Sequence, residues 1–439
     1  MKRSIFVFLT IIIFIFNLYA DEKTGDVLEL DFDACYELAE KQNPDYIKAK
    51  YKLVEAEADF QKAVGSFGPT LSLMTGYQPI YKATMVEIPA GVLGPTALSF
   101  PMGSQTYYSM RLSVTQPVFT FGKLFFGYRM ATSGYRIAKI QFKKAEEKLK
   151  LDTISSFYGA LIASELYKIT DEAAKRTEEM LEITRKKYKI GEASKLDLLM
   201  AEVELANTKP KIIDAKNNLN MAIDGLKMTL GLDLKQEITL KGTPNLEKYD
   251  ISYEDAKKMI GKYNDDYEMM KSVADLYNSN FAWSMLLPDV ALSGNLNYLS
   301  YEKDFSTSAS NWNKSWDVTI GLRWSFFNSY RVIADVKKAI AEDKVQHINL
   351  EQTRNGLEVK LKSLYATLDA NKQIIEAADK TIKQAEEGYK MAKESYKEGI
   401  IKRDDLVGAE LVLMQAKMQY LNALYKYTTN LQELKNFIE

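Results

Sequence analysis

The sequence predicts a mainly α-helical protein with a small membrane β-barrel part. Three observations carry that reading. The segment YKIGEASKLDLLMAE, from Tyr188, returns as YKEGIIKRDDLVGAE from Tyr396 with seven of fifteen positions identical, so the chain is internally duplicated. Heptad patterns run through the long helical stretches that follow each segment. Each copy also holds two segments that alternate apolar and polar residues over about ten positions, the length and pattern of a transmembrane β-strand.

The bulk properties fit a folded, exported protein. Of 439 residues, 46% are hydrophobic and 27% charged, which excludes wholesale disorder. A net charge of −1 gives no basic excess, so nucleic acid is not an expected partner. Cys35 is the one cysteine and His347 the one histidine, so there is no intrachain disulfide to form and no ligand set for zinc or haem. No phosphate-binding glycine loop, no nucleophile–histidine–acid set and no metal motif is visible, so neither an enzymatic activity nor a cofactor is expected. At the N-terminus, Lys2 and Arg3 precede an apolar run from Ile5 to Phe16, then Ala20 and the acidic Asp21 and Glu22. That order describes a secretory signal peptide over residues 1–20.

The duplication organises the remainder. At an offset of 208 residues, Lys123 aligns with Arg331, Phe157 with Tyr365 and Leu226 with Leu434. The first repeat covers 21–231 and the second 252–439, with 232–251 as a connector at the waist. Each repeat reads as an opening helix (33–66 in the first), two strands, a very long helix (123–188) and a last helix (195–230). Asp31 and Ser252 are the expected N-caps. The last helix of the second repeat spaces Leu406, Ala409, Leu413, Ala416, Tyr420, Ala423 and Tyr427 alternately by three and four, a coiled-coil seam. Pro210 interrupts the matching pattern of the first repeat and predicts a kink or break there. By rise per residue, the two shorter helices together match the long one, so they stack end to end beside it. Gly191 then falls at the far tip.

The strands are expected at 70–79, 107–117, 289–298 and 315–326. Tyr108, Met110, Leu112 and Val114 alternate with Ser109, Arg111, Ser113 and Thr115; Trp316 to Phe326 alternates in the same way. Aromatic residues gather at the two ends: Tyr77, Tyr107, Tyr298 and Trp316 with Tyr81 and Tyr301 at one level, Trp283 and Trp324 with several phenylalanines at the other. They suggest two interfacial girdles. A membrane tolerates no open sheet edge, and four strands cannot close a barrel. Three copies give a 12-stranded barrel with an aqueous lumen, lined by Arg111 and Arg323. The loop 81–104 faces outside.

In order and in pattern the chain resembles the outer-membrane efflux protein (TolC) family. The carrying residues are LDFDACYELAEKQNP at the first helix, LPDV at 287–290, the paired tip segments, and the strand pairs. The resemblance implies an α-barrel continued by a β-barrel in a homotrimer, set in outer-membrane lipid with a long periplasmic part. It implies a passive exit duct for a tripartite efflux pump or a type I secretion system. The partners are then a periplasmic adaptor (membrane fusion) protein and an inner-membrane efflux pump or ABC exporter. It places Gly191, Ser194, Lys195, Gly399 and Lys402 at adaptor-contacting tips. It places a periplasmic gate at Tyr396 and Asp405; the family's gate arginine is replaced by Ile401, and Arg403 and Asp404 stand nearby. Asp197 and Asp405 also begin helices, where a carboxylate serves equally as a cap. A secreted or outer-membrane coiled-coil spacer or adhesin, without transport, is the competing reading.

Overall fold

The computed structural model describes residues 28–78, 84–102, 107–242, 251–277, 280–301 and 307–438, together with 249 and 305. The expected signal peptide (1–20), Tyr81, and part of the expected waist connector (243–248 and 250) lie outside the described residues. The chain divides into two units: one holds the described residues up to Lys50 with Lys143–Asn264 and Leu357–Glu439; the other holds Tyr51–Phe142 and Asp265–Gly356. In order, the elements are β1 (Leu28–Leu30), α1 (Phe32–Gln42), α2 (Pro44–Gly65), β2 (Thr70–Gln78), β3 (Thr84–Ile88), β4 (Leu98–Met102), β5 (Tyr107–Phe119), α3 (Lys123–Lys189) and α4 (Lys195–Leu230). They continue with β6 (Ile238–Leu240), α5 (Tyr253–Tyr263), α6 (Asp265–Leu276), α7 (Asn280–Ser284), β7 (Asp289–Ser300), β8 (Asn313–Arg323), α8 (Arg331–Lys397) and α9 (Arg403–Ile438). The long helices α3 and α8 have 67 residues each, about 100 Å at the usual rise.

The helical unit is built around the ends of the repeats. β1 and β6 pair in parallel, Leu28 with Ile238 and Leu30 with Leu240, under a core of Leu30, Cys35, Ala39, Leu149, Phe157, Leu226 and Leu230. β1 is only three residues long, too short for an alternating pattern to show in the sequence. Cys35 is fully buried, and that burial, with the charge of Asp31 adding, pushes its thiol from 9.0 up to about 12. Most of the coiled-coil stripe of α9 is buried, namely Leu406, Leu413, Ala416, Ala423, Tyr427, Leu434 and Phe437, while Ala409 and Tyr420 are half-buried. Pro210 breaks nothing, since α4 is continuous through it.

The opening helix is where the structure corrects the sequence. A single helix over 33–66 is expected; α1 ends at Gln42 and α2 starts at Pro44. Asn43 sits between them in extended backbone (φ −62, ψ 121), as the residue before a proline prefers. Its side chain serves both helices. The Oδ1 accepts from the amides of Asp45 and Tyr46 at 2.9 Å, and the Nδ2 donates to the Thr229 carbonyl at 2.8 Å, near the end of α4. The second repeat has the same device without the proline: Asn264 separates α5 from α6 and donates to the Phe437 carbonyl at 3.0 Å. Thr229 and Phe437 are equivalent at the offset of 208. Gly231 closes α4 at φ 73, and a Cβ there would lie 2.4 Å from the Gln42 carbonyl oxygen, so only glycine fits against the end of α1.

The strand unit holds one four-stranded antiparallel sheet in the order β2-β5-β7-β8 and a separate hairpin of β3 and β4. All four expected sheet strands are present with ends shifted by a few residues; β8 stops at Arg323, which leaves Trp324 and Phe326 beyond it. The segment expected as the loop 81–104 contains the β3–β4 hairpin. Pro117 lies next to a register shift between Pro117 and Phe119, where a missing amide is tolerated. The Phe60 ring packs on Tyr128 and Tyr135, at centroid distances of 5.7 and 5.6 Å, which holds α2 to α3.

Two outcomes follow. Asn264→Ala leaves a buried carbonyl without its donor and lowers stability by about 1–3 kcal/mol, read as a fall in the thermal midpoint of the purified protein. The raised thiol value means that the folded state favours neutral Cys35; this stabilisation is whole below pH 9.0 and is lost as pH rises towards 12. Native protein at neutral pH therefore resists maleimide at Cys35, and denaturant exposes it.

Candidate functional site

Apart from the register shift between Pro117 and Phe119, the sheet sorts most of its side chains onto an apolar and a polar face, with Met74 opposite Arg111 on the polar face and Lys314 opposite Tyr298 on the apolar one. Across the strands, Leu73 pairs with Leu112, Leu112 with Leu296 and Leu296 with Trp316. The neighbouring rows repeat this: Leu71 with Val114, Gly294 with Val318, Leu292 with Ile320 and Val290 with Leu322. The opposite face carries Ser113, Asn295 and Asp317 in one row and Arg111, Asn297 and Ser315 in the next. A one-residue slip anywhere would put leucines among asparagines, so the pattern pins the register. The apolar face is bare: Leu71 is 68% exposed, Trp316 76% and Ile320 74%. β2 pairs only with β5 and β8 only with β7 among the described residues, so both outer edges are open.

The two arginines expected in a lumen both stand on the polar face. Arg111 donates through Nε to Asn297 Oδ1 at 2.7 Å, and Asn295 donates to Asp317 at 2.8 Å one row away. Arg323 lies 4.0 Å from Asp289 and is largely exposed. Asp289 has a closer partner that the sequence does not advertise. Lys123, at the start of α3, bonds it at 2.8 Å and also donates to the Leu287 carbonyl at 2.9 Å, with both charged side chains largely shielded. The two residues are 166 positions apart, so nothing local signals the pair.

The aromatic residues divide. Tyr77, Tyr298 and Trp316 share the apolar face, Trp316 opposite Leu296 rather than at the strand's end. Tyr107 falls on the other face, in phase with Arg111; its neighbour Tyr108 is the residue that stacks on Tyr77, at 4.6 Å between rings. Alternation explains the difference, since adjacent strand residues point to opposite sides. At the other end Trp283 lies in α7, half exposed, and Trp324 donates from its indole to the Leu286 carbonyl at 3.0 Å.

The helical unit contains both tips. Gly191 and Gly399 are left-handed, at φ 82 and φ 76. Each closes its helix with the same pair of bonds: Gly191 to Tyr188 and Glu192 to Lys187, Gly399 to Tyr396 and Ile400 to Ser395, all donor to carbonyl. Such double closure needs a residue that tolerates positive φ, which answers why a glycine recurs inside each tip segment. The next helices start differently. Ser194 and Asp197 form a full capping box, with bonds of 3.1 and 2.9 Å. In the second tip Asp405 accepts from the Lys402 amide at 3.1 Å, with no serine opposite. Asp404 and Asp405 are exposed in the first turn of α9, which Arg403 opens, and Lys195 and Lys402 are exposed beside the caps. Tyr396 is buried at 9% with the Lys187 ammonium 5.1 Å from its ring centre.

Sequence reading misses a third cluster here. Arg176 of α3 bonds Glu410 of α9 at 2.6 Å, both side chains mostly shielded, and its guanidinium lies 5.6 Å from the Tyr389 ring centre. Burial and the Glu410 charge raise the Tyr389 hydroxyl above its ordinary value. A cavity of about 130 Å³ opens beside them, lined also by Tyr396, Leu406 and Met414. Arg176 and Glu410 are surrounded in sequence by other charges, and only packing singles them out.

The asymmetry of the caps has a measurable consequence. Ser194→Ala removes one half of the only complete capping box at the two tips and costs about 0.5–2 kcal/mol locally. Amide hydrogen exchange is expected to speed up at residues 195–198 and to stay unchanged at 403–406.

Comparison with known proteins fits this geometry. Solved structures of similar fold include the CmeC outer membrane channel of Campylobacter jejuni, with a TM-score of 0.75 and 18% identity over 93% of this chain and 85% of that one. VceC of Vibrio cholerae gives 0.72 and 16% over 92% and 95%. The open state of the MtrE outer membrane channel of Neisseria gonorrhoeae gives 0.73 and 15% over 93% and 88%. At these identities the likeness is one of fold. No curated protein sequence matches the chain. A sequence profile described as outer membrane efflux protein matches residues 35–232 and 273–438, which takes in both repeats and most of the chain. The protein belongs to the outer membrane efflux protein family.

Proposed function

We propose that the protein is one subunit of a homotrimeric outer-membrane channel, a passive exit duct with a water-filled lumen. The observation that carries this is the sheet: one face apolar and exposed, the other polar, and both edges unpaired. Three copies of the four-stranded sheet give twelve strands, and joining β2 of one copy to β8 of the next leaves no edge in hydrocarbon. The apolar face then meets lipid, and Arg111, Asn295, Asn297, Asp317 and Arg323 line the water path. No helix among the described residues is long and apolar enough to cross a membrane, so the sheet is the element proposed to do so.

The helices extend the duct into the periplasm as an α-barrel, with the tips at its entrance. A periplasmic adaptor engages Gly191, Ser194, Lys195, Gly399 and Lys402, and couples the duct to an inner-membrane pump or exporter. Tyr396, Arg403, Asp404 and Asp405 form the gate region. Support for that part comes from family membership and from the two tip turns, not from a partner in the structure. Asp405 has a cap to make and Asp404 stands beside it, so the acids serve helix start and entrance together.

Planar-bilayer recording of the purified protein tests the reading. Discrete, long-lived conductance steps are expected; a protein that inserts without conducting contradicts a duct and favours a spacer. Neutralising the entrance acids, as Asp404→Asn with Asp405→Asn, is expected to reduce the preference for cations over anions in the same recordings. Unchanged selectivity removes these two residues from the ion path.

A further inference from the structure

All four long helices of the helical unit border the cavity of about 130 Å³ beside Arg176 and Glu410. Its apolar walls come from both helical hairpins: Met180 and Ile183 of α3, Ala201 of α4, and Leu406, Leu411 and Met414 of α9. α8 contributes Tyr389 and Tyr396. The space has a local cause, since Ala173 and Ala201 offer only a methyl group each where the hairpins face one another. Two of the larger wall residues are methionines, which re-pack readily around an occupant.

One corner is polar. Arg176 bonds Glu410 at 2.6 Å, with side-chain exposures of 28% and 20%, and lies over the Tyr389 ring. A shielded ion pair of this kind adds little to stability in itself. Duplication does not require it either: at the offset of 208, the counterparts of Arg176, Tyr389 and Glu410 are Gln384, Leu181 and Glu202. The polar corner is thus a feature of this junction and not of the repeat.

Size and lining define the guest. An engineered apolar cavity of about 150 Å³ stays dry and takes up benzene, so a space of this size suits one aromatic ring. A carboxylate offers about four lone-pair positions, and Arg176 takes only part of them, so Glu410 can accept a further hydrogen bond. A hydroxyl on the ring meets that need. A cationic guest fits less well, because Arg176 already lies over Tyr389 and Lys187 over Tyr396. An anionic guest would meet Glu410, with Glu179 and Glu204 also on the lining.

We propose that this cavity is a binding site for a small phenol-like molecule, its ring between Met180, Ile183, Leu406 and Met414 and its hydroxyl donating to the Glu410 carboxylate. Such a guest touches both hairpins at once, so it binds best when they are together and holds them so. Neither the site nor its test depends on the channel reading.

Fluorine NMR titration of the purified full chain in detergent, with para-fluorophenol and para-fluorotoluene as probes, tests this. Saturable binding of both is expected, the phenol several-fold tighter. Ala201→Leu fills the cavity and is expected to abolish saturable binding of both probes, while uptake by the micelle is common to every variant. Glu410→Gln is expected to keep the toluene and to lose most of the preference for the phenol, because a neutral amide accepts a weaker bond than a carboxylate. Amide hydrogen exchange gives a second reading: para-fluorophenol slows exchange at 173–183 and at 406–414 together in the wild type, and at neither in Ala201→Leu. Equal binding by wild type and Ala201→Leu, or none by the wild type, overturns the site. An unchanged preference in Glu410→Gln overturns the placement of the hydroxyl, and protection of one hairpin alone overturns the bridging. If Ala201→Leu does not fold, Met414→Trp fills the space from the half-buried α9 side and takes its place in both measurements.

Discussion

Backbone amides and carbonyls along the outer edges of β2 and β8 have no strand partner among the described residues, and in hydrocarbon each such group costs several kcal/mol. This constraint connects sequence to assembly. The strand sequences ask for lipid on one side, because Leu71, Trp316 and Ile320 are left bare. The sheet cannot enter lipid alone, because its edges are open. In the assembly proposed above, pairing edge to edge with further copies resolves both demands and makes the polar face a lumen. A soluble hairpin pair would have met the same edges with charges or a covering helix.

Duplication supplies the helices that support this sheet, and the repeats show which local devices are structural. Asn43 and Asn264 each break an opening helix and reach the last turn of the closing helix of their own repeat, at Thr229 and Phe437. Gly191 and Gly399 each end a long helix with the same two bonds. These pairs hold the repeats in shape, a role separate from the adaptor contact proposed at Gly191 and Gly399. Differences between the repeats are more informative. Phe157 packs in a core under β1 and β6, whereas its equivalent, Tyr365, sends its hydroxyl to the Ile251 carbonyl at 2.9 Å. The capping box at Ser194 has only half a counterpart at Asp405, and the apolar hairpin lies in the first repeat where the second has a short polar link.

Much of this fold is legible in the sequence because it is periodic. The stripe from Leu406 to Tyr427 marks a coiled-coil face, and alternation from Tyr108 to Thr115 marks a strand face. Features without a period leave no such trace. A helix break at Asn43 needs a side chain that bonds three backbone groups, two of them local and one 186 residues away. The Lys123–Asp289 and Arg176–Glu410 pairs join charges that look like ordinary surface residues until packing shields them. Position alone puts Tyr107 in a girdle; strand phase gives that face to Tyr108. The β3–β4 hairpin escaped because its glycines and prolines read as a loop. The tips lie between these cases: the glycines are plain in the sequence, while their role towards a partner is a matter of chemistry outside one chain.

The central claim is that four strands per chain close a barrel only in company. Native mass spectrometry of the detergent-extracted protein tests it most directly. The account predicts a dominant species of three protomer masses that resists dilution. A stable monomer or dimer would contradict it, and the open edges of β2 and β8 would then need another cover.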